Sequence, residues 1–154
     1  MSMFCFQCQE TAKNEGCTVR GVCGKIDVVS NLQDALVFVV KSVANYSNQL
    51  TKLGNTDEKV NEYILKGLFI TITNANFDDN EIELEVKKGL ELRNMLRTKL
   101  LELGGEVNDK FEGTLLTTFE YKGKESLEEV GKAVGVLRTE NEDVRSLREV
   151  ILYG

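Results

Sequence analysis

The sequence contains no histidine, so the commonest transition-metal ligand and the usual general base near neutral pH are both missing. It contains no proline either, which suits a chain dominated by uninterrupted helices. Cysteine is confined to the start of the chain, with none after Cys23. The longest purely apolar run, Ala35 to Val40, is far too short to cross a bilayer. The opening residues Met1 to Cys5 show no charged region followed by an apolar stretch, so no targeting signal is visible. Basic residues are few and interleaved with acids, and the net charge is −6, which argues against nucleic acid as a partner.

What remains is an ordinary globular balance: 154 residues, 42% hydrophobic and 29% charged. That is enough for one domain or two small units sharing a core. The reading is a cytoplasmic protein that neither spans a membrane nor binds nucleic acid. Thiols stay reduced in that compartment, and clustered cysteines there more often bind metal than pair as disulfides.

After the cysteine-rich start the pattern becomes helical. Ser30 and Gln33 stand at capping-box spacing before Leu32, Leu36, Val39, Val40 and Val43, and Gly54 is a natural stop. A second helix is expected from Thr56, carrying Val60, Ile64, Leu68 and Ile72; the β-branched run Leu68 to Thr73 invites a strand, but the periodicity favours helix. A third follows Asp78 and Asp79, with Asn80 and Glu83 as its capping box and Gly104 as its end. The segment from Glu106 to Gly123 is the least regular and reads as a short extended piece or a loop. A fourth helix opens at Ser126 and uses Val130, Val134 and Leu137. A fifth starts near Asn141, with Val144, Leu147 and Ile151 expected to face inward.

That last helix has no stop signal, which predicts a chain truncated at its C-terminus. The fold class is therefore all-α: a helical bundle (26–154) behind a cysteine-rich loop (1–25), together one domain. Tyr46, Tyr63, Tyr121 and Tyr153 are expected at the core edge. Glu81, Glu83 and Glu85 are expected to form an exposed helical face near a positive helix end rather than a metal site. Glu10, Glu15 and Asp27 read as solvated or capping carboxylates, not acid–base catalysts.

Chemistry concentrates in Cys5, Cys8, Cys17 and Cys23, spaced Cys-x2-Cys-x8-Cys-x5-Cys. Four thiolates returning from short loops can surround a [4Fe–4S] core, one per iron. A [2Fe–2S] centre also takes four thiolates, so spacing alone leaves both open. Structural zinc is a third option, though zinc knuckles usually use two short Cys-x2–4-Cys pairs and only one is present. Gly16, Gly21 and Gly24 let backbone N–H groups approach sulfur, Phe4 and Phe6 supply an apolar shell, and Arg20 and Lys25 can offset negative charge.

The stretch MFCFQCQETAKNEGCTVRGVCGK (Met3–Lys25) resembles the N-terminal signature of hybrid-cluster proteins, also called prismane proteins or hydroxylamine reductases. The run GVLRTENEDVRSLRE (Gly135–Glu149) is similar to that family too. The resemblance implies a [4Fe–4S] cluster on Cys5, Cys8, Cys17 and Cys23, because the family's [2Fe–2S] branch has a longer gap between its second and third cysteines. It implies a first domain of packed three-helix bundles, in a parent enzyme that reduces hydroxylamine to ammonia with two electrons and two protons. Nitric oxide is a further substrate proposed for the family. Carbon monoxide dehydrogenases share the wider fold but match the cysteine signature less well.

The family's chemistry takes place at a hybrid iron–sulfur–oxygen cluster held by histidine, glutamate and further cysteines of later domains. This chain cannot supply those ligands, so no catalytic residue is carried over. The expected partners are a redox donor protein and the remaining domains of the parent enzyme, with self-association through the uncovered C-terminal face. The rival reading is a helical interaction module with a structural zinc loop, and a third is a small ferredoxin-like carrier.

Overall fold

The computed structural model describes residues 2–73, 75–107 and 113–154. Among the described residues six α-helices follow the cysteine loop: α1 (Asp27–Lys52), α2 (Glu58–Ile72), α3 (Asp79–Glu102), α4 (Leu115–Thr118), α5 (Lys124–Val134) and α6 (Glu142–Tyr153). No β-strand occurs among the described residues, so the fold is all-α.

Helix α1 is the axis. Its buried stripe of Val29, Leu32, Ala35, Leu36, Val39 and Val40 meets Ile82, Val86 and Leu90 of α3, Leu127 and Val130 of α5, and Phe119. Further along, Val43, Tyr46 and Leu50 close against Val60 of α2 and Leu96 and Leu100 of α3. Each fully buried aliphatic side chain contributes roughly 1.5–3 kcal/mol. That explains why α1 begins at Asp27 with no side-chain cap, upstream of the expected Ser30. A cap is worth only about 1 kcal/mol, and an earlier start buries Val29. Ser30 and Gln33 are thereby drawn into the interior instead of capping.

The other boundaries follow local chemistry. Asp57 caps α2 through Lys59 N–H, and α2 continues through Ile72, so the β-branched run is helical as the periodicity requires. Asp78, not Asn80, caps α3, accepting from Asn80 and Glu81 N–H. Its side chain sits at the helix start, where those donors have no partner within the helix. Gly54 and Gly104 follow α1 and α3 with φ of +79° and +72°, a region where a side chain would be strained.

Part of the irregular segment, 108–112, lies outside the described residues. Beyond it, Leu115–Thr118 forms one helical turn rather than an extended piece. Ser42 Oγ donates to Leu116 O at 2.6 Å, and buried Arg93 donates to Phe119 O at 2.7 Å, so α1 and α3 satisfy carbonyls that a lone turn cannot. Helix α5 starts at Lys124, two residues before Ser126, whose hydroxyl bonds Gly123 O and Lys122 N–H.

Two expectations about burial are overturned. Tyr46 is fully buried rather than at the core edge. Glu83 and Glu85 are not an exposed face: Glu85 is buried and accepts from Lys66 and Lys88 at 2.8 and 2.7 Å, while Glu83 pairs with Lys87 and Tyr121. Burial opposes ionisation of Glu85, but the two ammonium groups outweigh it and lower its pKa.

Asn141 caps α6 as expected, accepting from Val144 N–H. The face of α6 is the third correction. Val144, Leu147 and Ile151 point to solvent, with Leu147 62% and Ile151 81% exposed. Among the described residues the inner face of α6 presents Arg145, Glu149, Leu152 and Tyr153 to a polar cavity instead.

Candidate functional site

The cysteine loop lies ahead of α1 and is closed by backbone hydrogen bonds. Cys5 N–H donates to Cys17 O at 3.1 Å and Cys17 N–H to Cys5 O at 2.8 Å, an isolated antiparallel bridge between two of the four cysteines. Between them a short 3-10 turn, Ala12–Asn14, reverses the chain, with Lys13 and Asn14 at φ of 56° and 59°. Two consecutive non-glycine residues in the left-handed region are strained, and the bridge holds them there. Gly21 N–H then donates to Lys25 O at 2.7 Å, closing the turn that carries Cys23.

Two glycines are required by close approach. A β-carbon on Gly16 would strike the Phe4 ring, and one on Gly21 would stand 3.1 Å from Cys23 Sγ. Phe4 and Phe6 rings lie 5.6 Å apart and line the same side of the loop.

All four cysteines are free thiols, Cys17 buried and Cys23 exposed, so two disulfides are not formed. Of the two cations expected nearby, Arg20 is exposed. Lys25 is 1% exposed and its Nζ is 3.5 Å from Cys5 Sγ. Glu10 and Glu15 are exposed, and Asp27 accepts from Val28 N–H in the first turn of α1.

Among the described residues no group of three or more Cys, Asp or Glu is placed to hold one metal ion. By residue type the loop suits an anionic, sulfur-rich group. Four thiols, a buried ammonium on one of them, and an apolar flank are the donor set such a group uses. Gln33 adds an independent sign: both its amide atoms are buried without a hydrogen-bond partner, and it lines a small cavity with Phe4, Cys5, Phe6 and Gln7.

A second feature adjoins the loop and was not legible as a site in the sequence. A cavity of about 430 Å³ opens between α1, the Gly135–Arg138 turn and α6. Asp34, Lys41, Arg145, Arg148, Glu149 and Tyr153 face it. Burial pushes the Asp34 carboxyl up to about 7, reinforced by Glu149 and opposed by Lys25 and Lys41. Burial likewise raises Glu149 and lowers Lys41. Tyr153, pushed up to about 12 by burial, bonds Thr71 Oγ1 at 2.8 Å and accepts from Gln7 Nε2 at 3.2 Å. The cysteine loop is thereby tied to both α2 and α6. The available signal was Gln33–Asp34, a polar pair set among the buried positions of α1.

The sequence pattern of the Prismane/CO dehydrogenase family matches residues 3–154. The chain belongs to that family. Curated relatives include a hydroxylamine reductase of Clostridium perfringens, 52% identical over all of this chain and 28% of that protein. Hydroxylamine reductases of Desulfitobacterium hafniense and Nitratidesulfovibrio vulgaris are 47% and 48% identical over 100% and 99% of this chain and, in each case, 28% of the relative. The prismane-family chain thus spans about a quarter to a third of the length of the relatives it matches. The family is one of iron–sulfur proteins, in accord with the donor set of the cysteine loop.

Proposed function

We propose that this chain is the N-terminal [4Fe–4S] electron-transfer domain of a hydroxylamine reductase, with residues 1–25 as cluster loop and 26–154 as the bundle that holds it. The observation that carries the reading is the set of four free thiols on one bridged loop, in a chain whose relatives bear that name. Cys5, Cys8, Cys17 and Cys23 are the ligands in this reading. When bound, such a cluster accepts and releases single electrons. The protein's part is to bind it through four thiolates, limit water with Phe4 and Phe6, and compensate its charge with Lys25.

The parent enzyme in this reading adds two electrons and two protons to hydroxylamine, giving ammonia and water, with nitric oxide as a further substrate. Its hybrid cluster lies outside this chain, which has no histidine and no cysteine beyond Cys23. The partners are a redox donor protein and the rest of the parent chain, in the cytoplasm. Among the described residues no helix is long and apolar enough to cross a membrane. The exposed apolar stripe of α6 supports self-association of the isolated chain. Light scattering at rising concentration should show it, and a strictly monomeric chain would remove this part of the reading.

The deciding experiment is iron, zinc and acid-labile sulfide analysis of anaerobically purified protein, with an EPR spectrum after dithionite. About four irons and four sulfides per chain and a reduced [4Fe–4S] signal are expected. Two of each indicate [2Fe–2S], and zinc without sulfide overturns the redox reading in favour of a structural module.

A further inference from the structure

Lys25 is a charged side chain held in the interior beside the cysteine loop. It is 1% exposed, and among the described residues no carboxylate lies within salt-bridge distance of its Nζ. Asp34 feels its charge only from beyond that distance, and a buried ammonium with no anion in contact is strongly unfavourable. The polar atom it does reach is Cys5 Sγ, at 3.5 Å, with the Phe77 ring 5.7 Å away on its flank. Its backbone is fixed as well, since Lys25 O accepts from Gly21 N–H at 2.7 Å in the turn carrying Cys23. The same short segment therefore sets the position of the ammonium and of one cysteine.

We propose that Lys25 is a positioning residue that sets the reduction potential of the iron–sulfur centre, by holding a fixed positive charge against the Cys5 sulfur. This rests on the reading that the four cysteines bind such a centre. Reduction adds one electron, delivered by a donor protein, and hence one negative charge to the sulfur-rich group. A cation at hydrogen-bond distance in a dry site favours the more negative state. Arg20, by contrast, is exposed, so solvent screens its charge. Of the two nearby cations, only Lys25 acts at full strength.

The test is an EPR-monitored redox titration of the anaerobically prepared full chain, with iron and sulfide measured on each sample. Lys25→Met is expected to shift the equilibrium toward the oxidised form by about tenfold or more, ~59 mV for one electron. Lys25→Arg should stay near wild type, and Lys25→Gln, which keeps a donor without the charge, should fall below Lys25→Arg. A fully loaded Lys25→Met protein with an unchanged potential overturns the proposal and leaves the cluster reading intact. Should Lys25→Met fail to load, the Gln–Arg pair decides: equal potentials overturn the proposal, and a lower one for Gln supports it. Wild-type protein without iron and sulfide overturns the cluster reading itself, and this one with it.

Discussion

Asp34 shows how one residue can read as ordinary in sequence and be costly in the fold. It follows Gln33 on α1 and faces the polar cavity, where burial pushes its carboxyl from 3.8 to about 7. A carboxyl raised in the folded state favours folding fully below its unfolded pKa. That contribution is lost as pH rises through about 7. At about 1.4 kcal/mol per unit the effect reaches up to about 4 kcal/mol. Glu149 shifts the same way, and Asp79, Glu83 and Glu85 the opposite way, so raw pH profiles mix the two signs. The difference between Asp34→Asn and wild type isolates the group. Chemical denaturation should show little gain for the variant at pH 4 and a gain of a few kcal/mol at pH 8. Equal gains at both values would mean that burial is not shifting Asp34.

The cysteines behave differently, because their meaning is local. Four cysteines within one short loop stand out by their spacing alone, and the proposal that they are ligands needs no distant contact to suggest itself. Cys8→Ser should abolish iron and sulfide incorporation and loosen the cysteine loop while α1 to α5 keep their far-UV dichroism. A variant with full iron and sulfide content would remove Cys8 from the ligand set. Lys25 was legible only as a nearby cation. Its burial depends on how α1 and Phe77 pack around the loop, which spacing does not encode.

At the scale of the elements, apolar periodicity located all five longer helices, and glycine located the ends of α1 and α3. Boundaries failed where burial outweighed capping, as at the start of α1, or where one of several neighbouring Asx residues had to be chosen, as at Asp78. The packing of α5 on α1 turns on Gly131. A β-carbon there would collide with the Asn31 carbonyl group, whose carbon lies 2.7 Å from that position. Alanine gains about 1 kcal/mol of helix propensity, but backbone of the neighbouring helix cannot move aside as a flexible side chain does. Gly131→Ala should therefore destabilise by roughly 1–3 kcal/mol, read as a lower denaturation midpoint with an unchanged slope. An unchanged or raised midpoint would show that α5 shifts freely along α1.

At the scale of the whole molecule, stability is unevenly distributed. Helix α1 contributes buried residues to both core clusters along its whole length, and α2, α3 and α5 close around it. Helix α6 buries none of its residues. It is held at its C-terminal end by the bonds of Tyr153 to Thr71 and Gln7, while Leu147, Val150 and Ile151 face solvent. Periodicity could identify α6 as amphipathic but not which face this chain covers, because the helical repeat looks the same whether its partner surface lies within the chain or elsewhere. Segments with few buried contacts open locally, and core helices exchange only with global unfolding. Amide hydrogen exchange by mass spectrometry should thus find the slowest peptides in α1 and the fastest helical peptides in α6. Tyr153→Phe, which removes a hydrogen-bonding hydroxyl worth about 1 kcal/mol, should speed exchange in α6 several-fold and leave α1 unchanged. Protection of α6 equal to that of α1 would show that its apolar face is covered in solution, and would place the missing contact on the stripe Leu147–Ile151.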